Sequence, residues 1–216
     1  MPWFVPQTGR EEAELVLKVL RSNYLNDGNM SRLFENEVAE LLGVKYCVAV
    51  TSGTAALALA LMGMGIGPQD EVIVPDLTFI ATANAVRLTG ATVKLVDIEP
   101  EHFTINIEKI ATAIGPRTKA IVPVDVNGRG PDYQYLEALA KEKGLFLVSD
   151  STEGLGSKWQ GRYLGTFGDA GCFSFSPNKT ITTGQGGMIA TNSAQLYYRL
   201  LELKDHGRRV QGTGGN

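Results

Sequence analysis

The stretch Cys47-Val-Ala-Val-Thr-Ser-Gly-Thr-Ala-Ala-Leu-Ala-Leu-Ala-Leu-Met-Gly-Met64 opens on a short apolar run, turns through hydroxyls and a glycine, and continues as a longer apolar run. Cys47 to Val50 suits a buried strand, and Ala55 to Met64 is long enough for a helix. The alternation then repeats down the chain. Val72 to Val74 precedes Ile80 to Leu88, Val93 to Val96 precedes Ile107 to Ile114, and Ala120 to Val124 precedes Tyr135 to Lys143, with Leu145 to Val148 following. These strand candidates are almost wholly Val, Ile, Leu and Ala, with little polar alternation. Such runs fit a sheet whose two faces are both covered by crossover helices. The expectation is an α/β fold with a mainly parallel central sheet.

Upstream, Glu11 to Arg21 and Ser31 to Leu42 place apolar residues at helical spacing and flank a Tyr24-to-Met30 loop. Downstream of Asp150 the pattern changes. Gly154, Gly156, Gly161, Gly165, Gly168 and Gly171 crowd a short stretch, and strand candidates over 171–175 and 187–191 bracket Lys179 with no helix between. A last helix is expected from Ala194 to Lys204. The polar, glycine-rich residues 208–216 carry no core periodicity. No internal repeat is present. The expected division is an N-terminal helix and loop over 1–30, a large domain over 31–207 and a glycine-rich tail over 208–216.

Composition narrows the function classes. The 216 residues suffice for one substantial core. Twenty Lys+Arg against 23 Asp+Glu give a formal charge of −3, without a dense basic cluster, so nucleic acid is not an expected partner. The start has no basic segment leading into an apolar core, and no apolar run reaches the ~18 residues of a membrane span, so a cytosolic protein without membrane contact is expected. Cys47 and Cys172 lie in apolar runs and read as buried free thiols. His102 and His206 lack partners at ligand spacing, so no metal site is expected.

Three stretches carry candidate chemistry. Val50-Thr-Ser-Gly-Thr-Ala-Ala56 joins a strand to a helix and offers hydroxyls, a permissive glycine and helix N-terminal amides, a combination that binds phosphate. A plain Ser/Thr helix cap is the alternative. Leu145-Phe-Leu-Val-Ser-Asp150 is a buried-type strand ending in a carboxylate, at the edge where open α/β sheets place ligands. A carboxylate there would keep a pyridine nitrogen protonated, while a solvated strand-end Asp reads the same. Lys179 follows Ser174 and Ser176 and precedes Gly184, Gly186 and Gly187. An amine in apolar or cationic surroundings becomes an imine-forming nucleophile, and glycines make room for a flat cofactor. A surface lysine is the bland alternative.

Taken together, these stretches resemble the pyridoxal-phosphate sugar aminotransferases of the DegT/DnrJ/StrS type, from about Glu11 to Gly207. The resemblance is carried by Thr51-Ser-Gly-Thr-Ala-Ala56, Gly65-Ile-Gly-Pro-Gln-Asp-Glu-Val-Ile-Val-Pro75, Thr78-Phe-Ile-Ala-Thr-Ala-Asn84, Pro116-Arg-Thr-Lys-Ala-Ile121, Gly165-Thr-Phe-Gly-Asp-Ala-Gly171 and the Lys179 run. It implies the large domain of the aspartate-aminotransferase-like fold, with pyridoxal phosphate bound to Lys179 as a Schiff base. It further implies that Asp150 pairs with the pyridine nitrogen and Phe79 stacks on the ring. Ser52, Gly53, Thr54, Ala55 and Ser174 form the phosphate end, with Ala55 acting through its amide. Glu153 lies near the ring hydroxyl, where many members carry Gln or His and a subset resembling perosamine synthases carries Glu. Asp125, in Pro123-Val-Asp-Val-Asn-Gly128, stands where many relatives have histidine, and reads here as a strand cap.

The activity implied is transfer of an amino group from glutamate to a nucleotide-linked keto sugar, 4-keto-6-deoxy in the branch resembling perosamine synthases, by a homodimer with its site at the interface. Resembling proteins run nearly twice this length and add a small C-terminal domain. A non-catalytic module that binds cofactor or a partner is the rival class. A pyridoxal-phosphate sugar dehydratase is the rival enzyme, although resembling deoxygenating enzymes carry histidine where this chain has Lys179.

Overall fold

The computed structural model describes residues 4–208. Its first two helices are α1, Arg10–Ser22, and α2, Asn29–Leu42. The alternation follows as β1 (Tyr46–Val50), α3 (Gly53–Gly63), β2 (Glu71–Pro75), α4 (Ala81–Leu88), β3 (Thr92–Val96), α5 (Ile107–Ala113), β4 (Thr118–Ile121), α6 (Tyr133–Lys143) and β5 (Phe146–Asp150). A two-residue-per-strand hairpin, β6 (Lys158–Trp159) and β7 (Arg162–Tyr163), precedes β8 (Ala170–Ser174), β9 (Gly187–Thr191) and α7 (Ala194–Lys204).

Seven strands form one sheet in the order β1-β9-β8-β5-β4-β2-β3. The β8-β5-β4-β2-β3 pairings are parallel, and β9 alone runs against both of its neighbours. The reason is local. No helix intervenes between β8 and β9, and a chain that returns without a crossover must come back antiparallel. β1 therefore points the same way as β8, so Val50, Pro75, Asp150 and Ser174 all end at one edge of the sheet.

Side-chain alternation sends neighbouring strand residues to opposite faces. On one face Val48, Val72, Val74, Val148, Cys172 and Ile189 pack under α3, α4 and α7. On the other, Ile73, Ile121 and Leu147 pack against Ile110 of α5 and Leu136 of α6. α2 lays Val38 and Leu42 over Cys47, Phe173 and Met188. Fully burying each such aliphatic side chain contributes about 1.5–3 kcal/mol, which explains strands apolar on both faces. Cys47 and Cys172 are buried free thiols, and burial pushes Cys47 up to about 12.

Several boundaries differ from the sequence expectation. α2 starts at Asn29, inside the expected loop. β4 ends at Ile121, because Pro123 has no N–H to continue the ladder, although Val124 still bridges to Asp150. The β6–β7 hairpin had no periodic signal at two residues per strand. The helical spacing of α1 is present, yet none of its residues is buried, and Leu15, Val16 and Leu20 are exposed. Of the expected tail over 208–216, residues 209–216 lie outside the described residues. Among the described residues, no helix is long and apolar enough to cross a membrane.

Candidate functional site

The strand edge that collects Val50, Asp150 and Ser174 holds the three stretches that carried candidate chemistry. At its centre Asp150 is buried and fully engaged. Its Oδ2 accepts from the Thr82 hydroxyl at 2.6 Å, and its Oδ1 accepts from the Thr152 hydroxyl at 2.8 Å and the Thr152 amide at 3.2 Å. A threonine hydroxyl has one proton to give. With that of Thr82 on Asp150, Thr82 accepts from Thr78 at 2.7 Å. Burial raises the Asp150 carboxyl above the usual carboxylate range, while these donors and the Lys179 charge pull it the other way.

Asp150 lines a cleft of about 350 Å³ with Thr82, Thr152, Glu153, Leu57, Asn127 and the Leu77–Ala81 segment. Phe79 lines this cleft with 76% of its surface exposed, so it is no part of the core. Larger hollows lie beside α7 and beside the α1–α2 loop, away from these groups.

Lys179 approaches from the loop joining β8 to β9. That loop is pinned by Phe175 N donating to Gly186 O, by Thr183 N donating to Phe175 O, and by a turn from Lys179 N to Ser176 O. The Lys179 amine donates to Glu153 Oε1 at 3.4 Å, and Glu153 Oε2 accepts from the Asn127 amide at 2.9 Å. Glu153 thus bridges two loops that the sequence places far apart.

The N-terminus of α3 closes the third side. Ser52 caps it, its hydroxyl accepting from the Ala55 amide at 3.1 Å. The cap reading of the Thr-Ser-Gly-Thr step is therefore present, and the cap occupies the amide that the resemblance assigns to phosphate. The Gly53 and Thr54 amides lie in the first turn, where no preceding carbonyl can take them. A Cβ on Gly53 would stand 2.9 Å from Ser174 Cβ and 2.9 Å from Thr152 Cγ2. A Cβ on Gly187 would meet Ser52 O at 2.3 Å. These two glycines let the helix terminus, β8 and β9 close around a small polar cradle, with Ser174 Oγ 3.1 Å from Ser176 Oγ.

Asp125 departs from its expectation. It caps no strand but is fully buried behind Asp150, with Oδ1 accepting from the Tyr133 hydroxyl at 2.6 Å and Oδ2 from the Ser151 hydroxyl at 2.5 Å. Burial pushes its carboxyl up to about 7, against the pull of the two hydroxyls, and the Asp150 charge pushes the same way. Tyr133 is itself raised by burial and by Asp125. Its ring is clamped in a stack on Phe167 at 4.2 Å with Trp159 edge-on.

The residues matched by the DegT/DnrJ/EryC1/StrS aminotransferase family run from 6 to 215. The chain belongs to that family. Among curated relatives, GDP-perosamine synthase of Escherichia coli is 44% identical over 211 residues, covering 97% of this chain and 58% of that protein. The UDP-N-acetyl-3-dehydro-alpha-D-glucosamine 3-aminotransferase of Acidithiobacillus ferrooxidans is 47% identical over 181 residues, covering 83% of this chain and 49% of that protein. Among solved structures, DesV of S. venezuelae in complex with a ketimine intermediate superposes with a TM-score of 0.90 at 38% identity, covering 93% of this chain and 54% of that one. The chain spans about half the length of the relatives it matches. The fold is that of the large domain of pyridoxal-phosphate aminotransferases, as the resemblance implied.

Every site residue named from the sequence lies at this one edge. Thr82, Thr152, Ser151 and Tyr133 were not anticipated. A hydroxyl on a helix or a loop has no pattern of its own, and only the fold shows which carboxylate it faces.

Proposed function

We propose that this chain holds pyridoxal phosphate on Lys179 and belongs to an enzyme that moves an amino group from glutamate to a nucleotide-linked keto sugar. The observation that carries the reading is the meeting of Asp150, Lys179 and the α3 N-terminus around one cleft edge. The residues present fit the cofactor. A buried carboxylate with fixed donors suits a protonated ring nitrogen, Phe79 offers an exposed ring at the cleft wall, and the glycine-lined cradle suits a phosphate. Bound there, pyridoxal phosphate supplies a cationic ring that draws off the electron pair left when a substrate C–H bond breaks.

In this reading the Lys179 Nζ would hold the cofactor and, as a free amine, would take up and return the proton at the substrate carbon. Asp150 holds the proton on the ring nitrogen. Thr54 and Ser174 hydroxyls hold the phosphate with the first-turn amides of Gly53 and Thr54, and Ala55 joins them if its amide is shared with Ser52. Glu153, which accepts from the Lys179 amine, would hold the ring hydroxyl. We assign residues 31–207 to the ring-binding unit.

The named relatives differ in nucleotide, GDP in one and UDP in the other, and in sugar. We assign a 4-keto-6-deoxy sugar because Glu153 and the Asn178–Gly184 run resemble the perosamine-synthase branch. A cytosolic homodimer completes the reading.

The test adds pyridoxal phosphate to the purified chain, reduces it with borohydride and maps the modified residue by mass spectrometry. Modification at Lys179, abolished by Lys179→Ala, is expected, and modification elsewhere refutes the reading. Glutamate should then discharge the visible absorption band in a single turnover. A bound cofactor that ignores glutamate points instead to a binding module.

A further inference from the structure

Two buried carboxylates stand on adjoining strand ends, and the reaction proposed above uses only one. Asp125 is fully buried and is not among the residues lining the cleft, although its neighbours Val124 and Val126 are, so it would touch neither substrate nor cofactor there. Two of its bonds lead to the Asp150 turn. The Asp125 amide donates to Asp150 O at 3.0 Å, and the Asp150 amide donates to Pro123 O at 2.9 Å, so the backbone of the two strand ends is laced together. The Asp125 carboxylate then takes the hydroxyl of Ser151, the next residue after Asp150. Gly154 comes so close that a Cβ there would lie 3.3 Å from Asp125 Oδ2. On the far side Tyr133, held by Phe167 and Trp159, fixes the other oxygen.

We propose that Asp125 is a positioning residue that acts through Asp150, holding the Asp150–Gly154 turn by way of Ser151 and strengthening, by its negative charge, the grip of Asp150 on the ring-nitrogen proton. This rests on the reading of the cleft as a pyridoxal-phosphate site. The groups around Asp125 are Tyr133 from α6 and, on the β5 turn, Asp150 with Ser151. Glu153 lies further along that turn, bound to Lys179, whose charge acts on Asp150. A like charge nearby raises a carboxylate's affinity for a proton. Asp125 gains its charge as the pH rises through about 7. Above that point Asp150 holds a proton between itself and the ring more tightly, and below it the push disappears.

The experiment has two arms on the whole chain. The first follows aspartate carboxyl carbons by NMR against pH without any ligand. One resonance is expected to titrate near 7, to vanish in Asp125→Asn, and to be mirrored by a shift of Asp150 over the same range in the wild type only. An Asp150 resonance indifferent to Asp125 overturns the proposal. The second arm compares pyridoxal phosphate with an analogue whose ring nitrogen is replaced by carbon. At pH 8 Asp125→Asn is expected to weaken pyridoxal phosphate about tenfold, one pK unit of lost proton affinity, and the carbon analogue less than about twofold. Equal losses for both probes mean a merely structural role and overturn the proposal. If Asp125→Asn does not fold, Ser151→Ala replaces it, with a loss expected for pyridoxal phosphate alone. If the wild type binds neither probe, the cofactor reading falls, while the carbon resonances still decide the coupling of Asp125 to Asp150.

Discussion

The protonation of Asp125 makes the stability of the chain depend on pH in the direction opposite to ordinary acid denaturation. An aspartate normally titrates near 3.8, and burial carries Asp125 to about 7. Between those values the folded chain holds a proton that the unfolded chain has already lost. The stability contributed by that proton is fully present below the unfolded value and is lost as the pH rises through the folded one. The window spans about three pH units at ~1.4 kcal/mol each, so the full effect is roughly 4 kcal/mol, of which roughly 2 kcal/mol falls between pH 5 and 7. Asp150, also raised by burial, acts with the same sign. The carboxyl of Asp27 is lowered, with its bond to Lys204 among the causes, and it acts oppositely but below about pH 4, outside the range measured. Urea unfolding at half-unit steps from pH 5 to 8 is the assay. Wild-type stability is expected to fall across the range and level off above 7, and Asp125→Asn to remove most of the slope. A wild-type stability that rises or stays flat from pH 5 to 7, or an Asn variant with the wild-type slope, refutes the assignment of a buried neutral carboxyl at position 125.

Thr82→Val keeps the shape of the side chain and removes the 2.6 Å bond to Asp150 Oδ2. Hydrogen bonds to charged groups contribute about 1.5–3 kcal/mol, so equilibrium dialysis should show pyridoxal phosphate bound at least ~10-fold more weakly. Gly187→Ala drives a methyl against the carbonyl of Ser52, 2.3 Å away, and against the Gly53 amide at 2.8 Å. Both obstacles are backbone, so a loss of ~3 kcal/mol or more in urea unfolding is expected, whereas Gly184→Ala, where a Cβ meets nothing within 4 Å, should cost only the strain of its positive φ.

The sheet was legible because its strands are buried on both faces. Val72, Ile73 and Val74 need no partner sequence to announce a covered strand, and each of the helices expected after β1 is present. What the sequence concealed follows from length and from backbone chemistry. The hairpin at Lys158–Tyr163 is too short for any period to show, and Pro123 ends the β4 ladder inside an apolar run that reads as one strand. The direction of β9 was readable only as an absence, since nothing in Gly187–Thr191 itself distinguishes antiparallel from parallel pairing; the missing helix before it decides.

The site divides along a different line. Residues that would touch a ligand stood in motifs, at a strand end or a helix start, where residue type and position coincide: Asp150, Thr54 and Ser174 are of this kind. Residues that orient them carried no role of their own even inside a motif, because their meaning lies in which side chain they face. Thr82 sits one helical turn after Thr78, an unremarked spacing until Asp150 is placed beside it. Asp125 shows why such residues are misread. In sequence it stands after Pro123-Val124 and before a glycine turn, the setting of a solvated cap, and an aspartate is rarely buried without a partner. The two hydroxyls that make its burial tolerable come from Tyr133, on the following helix, and from Ser151, on another strand end. A buried carboxyl satisfied by neutral hydroxyls alone has no countercharge to keep it ionised. The same feature that hid Asp125 from the sequence therefore places its titration near neutrality, where its charge bears on Asp150 under working conditions.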